Sequence, residues 1–162
     1  MRKTAYSPLY NNDVTSEYLR DQNRPHFSDE ALATFSPEDL TRANENEAFK
    51  QAHPATGIFR VAAEGSQTRD GGVIVKGTLG MNFTLADGRE VAGARVGDYA
   101  VYPDGTEAQI LTGAGEANSQ IALVGSRLSN GDEIINTPQG HLLLLQRQDV
   151  AWPDDFLPAA EC

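Results

Sequence analysis

The chain has 162 residues and a net charge of −10, from 13 basic and 23 acidic side chains. Phosphate groups and anionic membranes are bound by several lysines or arginines on one surface, and this sequence has no basic cluster. We therefore expect no nucleic-acid partner and no stable membrane association. The longest apolar run, residues 142–145, is far shorter than a transmembrane helix of about 20 residues.

The chain starts with basic residues, but no apolar stretch of the length found in a cleavable signal peptide follows before Asn11, Asn12 and Asp13. The sole cysteine, Cys162, has no second cysteine with which to form an internal disulfide. We expect synthesis in the cytoplasm and, if the protein leaves the cell, export by a route that needs no signal peptide.

Residues 1–57 are predicted to be an N-terminal arm followed by a helical extension. Residues 1–27 are polar and interrupted by prolines, which predicts a loop or an extended arm, with a disordered leader as the alternative. A short helix is predicted from Ser28 to Thr34. A longer helix is predicted to begin at Ser36, with Pro37 in its first position, and to end before His53-Pro54.

Residues 58–146 are predicted to be strands and turns, because all fifteen glycines lie between residues 57 and 140. Asp87-Gly88 and Pro103-Asp104-Gly105 are typical of hairpin turns. The predicted segments are a strand at 72–77, hairpins at 81–92, 99–111 and 121–136, and a last strand at 141–146. Residues 147–162 are predicted to be an extended tail that docks on the core or binds a partner.

A short motif, Ala-x-x-Gly-(Asp/Ser), occurs three times in the glycine-rich region. Its copies lie at residues 62–66, 94–98 and 122–126, and their glycines are 32 and 28 residues apart. A period of about thirty residues is typical of a repeated supersecondary unit. Three units predict an object with pseudo-threefold symmetry or a short stack.

The amino-acid sequence of the second and third copies is similar to that of a known family. Ala94-Arg-Val-Gly-Asp98, followed by Ala-Leu-Val-Gly-Ser-Arg-Leu-Ser-Asn-Gly-Asp-Glu-Ile from Ala122, resembles the PAAR-repeat family over roughly residues 59–140. The resemblance implies an all-β fold: a compact glycine-rich cone of three pseudo-threefold β-hairpin repeats, here with a helical N-terminal extension and an extended C-terminal tail. Glu64 departs from the pattern, since an aliphatic residue is usual there.

The resemblance also implies a function. PAAR proteins cap the trimeric valine-glycine-repeat spike of type VI secretion systems, or the equivalent spike of contractile phage tails. The expected role is therefore a non-enzymatic structural tip, one chain per spike trimer. It would be cytoplasmic before assembly and would then be delivered with the spike outside the cell, into a target cell, or in a phage tail. Residues 1–57 are candidates for docking an effector, bracing the spike or recruiting a chaperone.

Nine apolar hairpin residues are predicted to contact the spike. They are Met81, Phe83, Leu85, Val91, Val101, Ile110, Ile121, Val124 and Ile134. Two other classes of protein stay open as alternatives: a small secreted toxin or hydrolase, and a stand-alone ligand-binding β-domain. No catalytic residue is predicted, because the sequence contains no Gly-x-Ser-x-Gly, Walker or His-Glu-x-x-His motif.

Members of the family commonly hold a zinc ion near the apex through histidines and a cysteine in the turns. In this sequence Asp70, Tyr102, Asp104 and Asn130 stand at those positions. We therefore expect no cofactor, with zinc as one alternative and a hard cation such as Ca²⁺ as another. The expected apex is closed by hydrogen bonds among Asp70, Asp104, Asn130 and Asp132.

Overall fold

The computed structural model describes residues 8–158, which form a β-rich fold of short strands, turns and a few helices. The helices are α1 (Ser16–Asp21), α2 (Asp29–Leu32), α3 (Pro37–Ala52) and a short 3₁₀ helix (Glu116–Asn118). The strands are β1 (Ala55–Arg60), β2 (Val73–Ile74), β3 (Asn82–Thr84), β4 (Glu90–Ala92), β5 (Tyr99–Val101), β6 (Glu107–Gln109) and β7 (Leu143–Arg147). Of the expected all-β fold, the β-rich class is confirmed.

Side-chain caps determine where the three α-helices begin. The Ser36 hydroxyl accepts a hydrogen bond from the Asp39 amide at 3.2 Å, and Pro37 occupies the first turn of α3, as predicted. The Ser28 hydroxyl caps α2 in the same way, but that helix ends at Leu32. Helix α1 was not predicted; it forms because the Thr15 hydroxyl accepts from the Tyr18 amide at 3.0 Å.

Two of the three predicted hairpins are regular antiparallel pairs. Strand β3 pairs with β4, and β5 pairs with β6 and also with β2. The third predicted hairpin, at residues 121–136, contains no regular strand. Instead a single bridge joins Arg127 to Glu133. Ile121 bridges to Arg95 of the second motif copy, and Leu123 bridges to Val61, the residue before the first copy. The predicted last strand is β7, which pairs with β1.

The chain divides into two compact units. The first contains residues 8–12, 59–144 and 152–158, and we call it the glycine-rich unit. The second contains residues 13–58 and 145–151, and we call it the helical unit. In the helical unit, α3 buries only Ala43, while Arg147 donates hydrogen bonds to the Asn23 side chain and the His53 carbonyl at 3.2 and 3.0 Å.

Two buried clusters form the core of the glycine-rich unit. The ring core consists of Ala62, Ile74, Ala94, Ala100, Ala108, Ile110, Ala122, Leu128 and Ile134. The second core consists of Val61, Ala63, Phe83, Leu85, Val91, Ala114, Leu123 and Phe156. Because alanines dominate the ring core, the backbone segments that surround it approach one another closely.

The first and last described segments both pack within the glycine-rich unit. Tyr10 exchanges backbone hydrogen bonds with Thr137 at 2.8 and 2.9 Å. The Leu157 amide donates to the Gly113 carbonyl at 2.8 Å, and the Phe156 ring stacks on Trp152 with centroids 4.0 Å apart. The tail, predicted either to dock or to stay available, is therefore docked as far as residue 158.

No helix within residues 8–158 is long and apolar enough to cross a bilayer.

Candidate functional site

The first alanines of the three motif copies are joined in a closed ring of hydrogen bonds. The Ala62 amide donates to the Ala122 carbonyl at 2.8 Å, Ala122 to Ala94 at 3.0 Å, and Ala94 back to Ala62 at 2.9 Å. All three alanines are fully buried. Each copy therefore contacts the other two through the same atoms.

The rest of each motif copy repeats the same local geometry. The glycines have φ angles of 96°, 101° and 109°, a region that favours glycine; they are Gly65, Gly97 and Gly125. The following polar side chain accepts a hydrogen bond from the backbone amide three residues earlier, at 2.9–3.0 Å; these side chains belong to Ser66, Asp98 and Ser126. The Asp/Ser position of the motif thus closes a tight turn.

Each motif glycine also binds a buried isoleucine further along the chain. The glycine amides donate at 2.8–2.9 Å to the carbonyls of Ile74, Ile110 and Ile134. The isoleucine amides donate back to Ser66, Asp98 and Ser126 carbonyls. These bonds close three hairpins, at residues 66–74, 98–110 and 126–134. The second hairpin is longer than the others, because its ends are twelve residues apart and theirs are eight apart.

The turns at the far ends of the hairpins meet at Asp132, whose side chain is fully buried. This carboxylate accepts from the Asp70 and Glu133 amides at 3.1 and 2.7 Å and from the Tyr102 hydroxyl. Asn130 accepts from the Asp132 amide and donates to the Tyr102 hydroxyl at 3.1 Å. We call Asp70, Tyr102, Asn130 and Asp132 the apex network.

The apex network shifts the pKa values of Asp132 and Tyr102 in opposite directions. Burial raises the pKa of Asp132, but hydrogen bonds from the Thr68 and Tyr102 hydroxyls and from backbone amides outweigh it and hold that pKa below the ordinary value of 3.8. Burial and the bond to Asp132 raise the pKa of Tyr102 above its ordinary value of 10.0. The carboxylate is therefore ionised and the phenol is a neutral donor.

The predicted apex residues are brought together except for one. Asp70, Asn130 and Asp132 meet, whereas the exposed Asp104 accepts from the amide and hydroxyl of Thr106 in its own turn, at 3.0 and 2.7 Å. Those bonds hold the pKa of Asp104 below its ordinary value. Tyr102, which we considered only as a replaced zinc ligand, is the side chain that ties the second turn to the third.

Most of the nine residues predicted to contact the spike fill the protein's own core instead. Six are buried: Phe83, Leu85, Val91, Ile110, Val124 and Ile134. Val101 and Ile121 are half-buried, and Met81 is 44% exposed. Successive side chains of an extended segment point to opposite faces, so each buried isoleucine has an outward aliphatic neighbour. These neighbours are Val75, Leu111 and Ile135, with exposures of 62%, 54% and 42%.

The unusual Glu64 of the first motif copy has a structural role. Its carboxylate accepts hydrogen bonds from the Gly77 and Ala92 amides, both at 3.0 Å. The other two copies carry Val96 and Val124 at this position. A carboxylate satisfies two backbone donors here that an aliphatic side chain would leave without a partner.

The turn residues do not suit the zinc ion that the family resemblance implies. Tetrahedral zinc sites are built from convergent nitrogen and sulfur ligands, whereas Asp70, Asp104 and Asn130 offer oxygen and amide groups. Within the described part of the chain, no three His, Cys, Asp or Glu side chains form a group able to hold a metal ion. Cys162 lies outside the described residues.

We predict that purified protein contains far less than one zinc ion per chain, because the turns lack convergent soft ligands. Elemental analysis by inductively coupled plasma mass spectrometry measures this directly. About one zinc per chain that disappears on replacing His53 or His141 would contradict the prediction. His26, remote from the repeats in sequence, serves as the matched control histidine.

Comparisons with models of protein families, with curated proteins and with solved structures give no significant match to this chain.

Proposed function

We propose that the glycine-rich unit is a cone of three pseudo-threefold β-hairpin repeats, and that the protein is a non-enzymatic tip for the trimeric spike of a contractile injection machine. The machine would be a type VI secretion system or a phage tail. The observation that carries the proposal is the closed ring of hydrogen bonds among Ala62, Ala94 and Ala122. In that ring, three segments of one chain have identical relations to one another.

Internal threefold symmetry gives a single chain the symmetry of a trimer. One copy then has three equivalent surfaces with which to contact three spike subunits, so a homotrimeric tip is unnecessary. The outward aliphatic residues Val75, Leu111 and Ile135 support this proposal, because each follows the corresponding buried isoleucine of its repeat. Exposed apolar side chains at equivalent positions favour burial against a partner of matching symmetry.

The apex network supports the mechanical part of the proposal. Asp132 receives hydrogen bonds from the first turn, its own turn and Tyr102 of the second turn, so the three hairpin ends are tied together. A buried carboxylate with several hydrogen-bond donors has few low-energy alternatives, so the turns that bond to it resist displacement. A tip that transmits force needs such a rigid end.

The remaining parts of the proposal concern delivery and cargo. The chain would be made in the cytoplasm, join the spike there and leave the cell with it. The helical unit exceeds what a minimal tip requires, and we assign to residues 1–57 the docking of an effector or a chaperone. Its exposed aromatic side chains Phe27 and Phe49, 37% and 46% accessible, are suitable contacts for such a partner.

The stoichiometry of the complex tests the proposed function. The chain alone is expected to be a monomer, and native mass spectrometry with a purified trimeric spike protein from the same organism is expected to give one chain per trimer. Leu111→Glu should weaken capping about tenfold, since it places a charge in an apolar contact. Asn44→Glu, at an exposed position of helix α3, is the matched control and should leave capping unchanged.

Two results would contradict the tip model. Three copies of the chain per spike trimer would remove the reason for an internal threefold axis. A stable homotrimer of the chain without any spike would assign the outward aliphatic residues to self-association.

A further inference from the structure

The three motif glycines have different surroundings, although their backbones correspond. A methyl group placed on Gly65 would lie 3.2 Å from Pro138, and one placed on Gly125 would lie 3.7 Å from Leu157. The same group on Gly97 would have no neighbour within 4 Å among the described residues. One of three equivalent positions is therefore uncovered.

The adjacent backbone edges show the same asymmetry. Equivalent positions lie three residues after each buried isoleucine, and they are occupied by Gly77, Gly113 and Thr137. Thr137 pairs with the N-terminal residue Tyr10, and Gly113 accepts from Leu157 of the tail. Within residues 8–158, no extended segment pairs with the Gly77 carbonyl.

Burial at the next residue agrees with this difference. Ala114 and Pro138 are buried, whereas the equivalent Thr78 is exposed. Two edges of the glycine-rich unit thus carry an added extended segment with an aromatic residue, and the third edge has none from the described chain. An open edge beside a groove is suited to strand addition by a peptide.

A groove of about 570 Å³ lies at this third edge, lined by residues that include Val75, Gly97 and Tyr99. Its apolar side chains are accessible, with Val75 62% and Tyr99 46% exposed. Four charged residues line the groove: Lys76, Arg95, Asp98 and Glu107. The Asp98 carboxylate already accepts hydrogen bonds from Thr78 and from the Arg95 amide, whereas neither Lys76 nor Arg95 forms an ion pair with any residue between 8 and 158. The groove therefore offers apolar contact beside two cations that lack an ion-pair partner, with the exposed Glu107 as a further lining residue.

We propose that this groove binds an extended peptide segment of a partner protein in which acidic residues precede an apolar one. A backbone amide of the peptide donates to the Gly77 carbonyl, an aliphatic side chain covers Gly97, and the acidic side chains lie beside Lys76 and Arg95. The inference rests on the proposed repeat relation but does not require the spike.

The protein's own tail supplies the pattern for the ligand. Residues 154–157 read Asp-Asp-Phe-Leu, and in the equivalent groove the Leu157 amide donates to Gly113 while its side chain lies over Gly125. Asp155 accepts from the Glu116 amide at 2.9 Å, so one tail carboxylate is used for backbone contact there. At the open groove, Lys76 and Arg95 provide partners for both carboxylates.

The experiment uses a synthetic peptide of residues 152–158, Trp-Pro-Asp-Asp-Phe-Leu-Pro, with blocked ends, titrated into the full-length chain. Isothermal calorimetry is expected to give one site per chain. A paramagnetic label on the peptide is expected to broaden the NMR signals of the Thr78 and Gly97 amides. Lys76→Glu and Arg95→Glu should each weaken binding about fivefold, whereas the helical-unit control Arg42→Glu should not.

A charge exchange makes the test independent of any general damage to the fold. A peptide with both aspartates replaced by lysine should bind poorly to the natural chain and regain affinity for the Lys76→Glu/Arg95→Glu double variant. Spike capping is measured without the peptide, so failure of the tip model and failure of this proposal are separate results.

Three outcomes would overturn the peptide-groove proposal. The first is absence of binding to the natural chain. The second is broadening at Gly113 and Gly125 instead of Gly97, which would mean that the peptide displaces the tail from its own groove. The third is dimerisation of the chain that Lys76→Glu abolishes, because the occupant would then be a second copy's tail and not a separate protein.

Discussion

Replacing Asp132 with alanine is expected to lower the free energy of unfolding by about 3 kcal/mol. The change removes a fully buried carboxylate and leaves the Asp70 and Glu133 amides and the Tyr102 hydroxyl without their acceptor. Chemical unfolding in urea, followed by circular dichroism, measures the effect. Asp104→Ala is the matched control, with an expected loss below about 1 kcal/mol, because Asp104 is exposed and bonds only within its turn.

The effect of Asp132→Ala is expected to depend on pH in a defined direction. The folded protein lowers the pKa of Asp132, so the stability that the carboxylate contributes is fully present above its ordinary value of 3.8 and is lost as pH falls through the lower folded value. The raised pKa of Tyr102 acts at the other end of the scale: its contribution is present below 10.0 and is lost as pH rises through the folded value.

A comparison of acid unfolding curves tests this linkage. The natural chain should lose stability more steeply than Asp132→Ala below about pH 4. Equal slopes for the two proteins in that range would mean that Asp132 is not held ionised by the apex network. Tyr102→Phe separates the contribution of the phenol, because it removes one donor to Asp132 and leaves the aromatic ring.

Truncation of Ile110 to alanine is expected to cost about 2–5 kcal/mol of unfolding free energy. Ile110 is fully buried in the ring core, so the change removes apolar contacts and leaves a cavity that alanine-rich neighbours cannot fill. Its neighbour Leu111 is 54% exposed, and Leu111→Ala is expected to cost less than about 1 kcal/mol. Thermal and urea unfolding of both variants measure the difference.

Ile74 and Ile134 correspond to Ile110 in the other two repeats, so the predicted loss of stability applies to them as well. Both are fully buried and bind a motif glycine as Ile110 does, so their truncation should cost a similar amount. A loss near zero at any one of the three positions would contradict the equivalence of the repeats. It would also show that the ring core depends on fewer than three hairpins.

Local sequence signals predicted the parts of the fold that depend on neighbouring residues. The cap at Ser36 and the hairpins around Asp87-Gly88 and residues 103–105 follow from side chains within a few positions of one another. The motif glycines also mark tight turns that need positive φ. These features could therefore be predicted without knowledge of any tertiary contact.

Contacts between distant residues were not predictable in the same way. Tyr102 and Asp132 are thirty residues apart, and nothing near either residue indicates that they bond. The third predicted hairpin was wrong only in its first strand, because Ile121 and Leu123 pair with Arg95 and Val61 and not with residues 133–136. Local sequence pattern does not record such distant contacts. For the residues expected to contact the spike, apolar type alone did not separate the inward Ile110 from the outward Leu111.

The unequal lengths of the three hairpins show where this fold can accept insertions during evolution. Four additional residues separate Asp98 from Ile110, yet the alanine ring and the glycine–isoleucine bonds are the same as in the shorter repeats. Insertions at the hairpin ends therefore leave the register of the centre unaltered. Selection can vary the outer loops of one face independently, so a chain with internal symmetry need not present three identical surfaces.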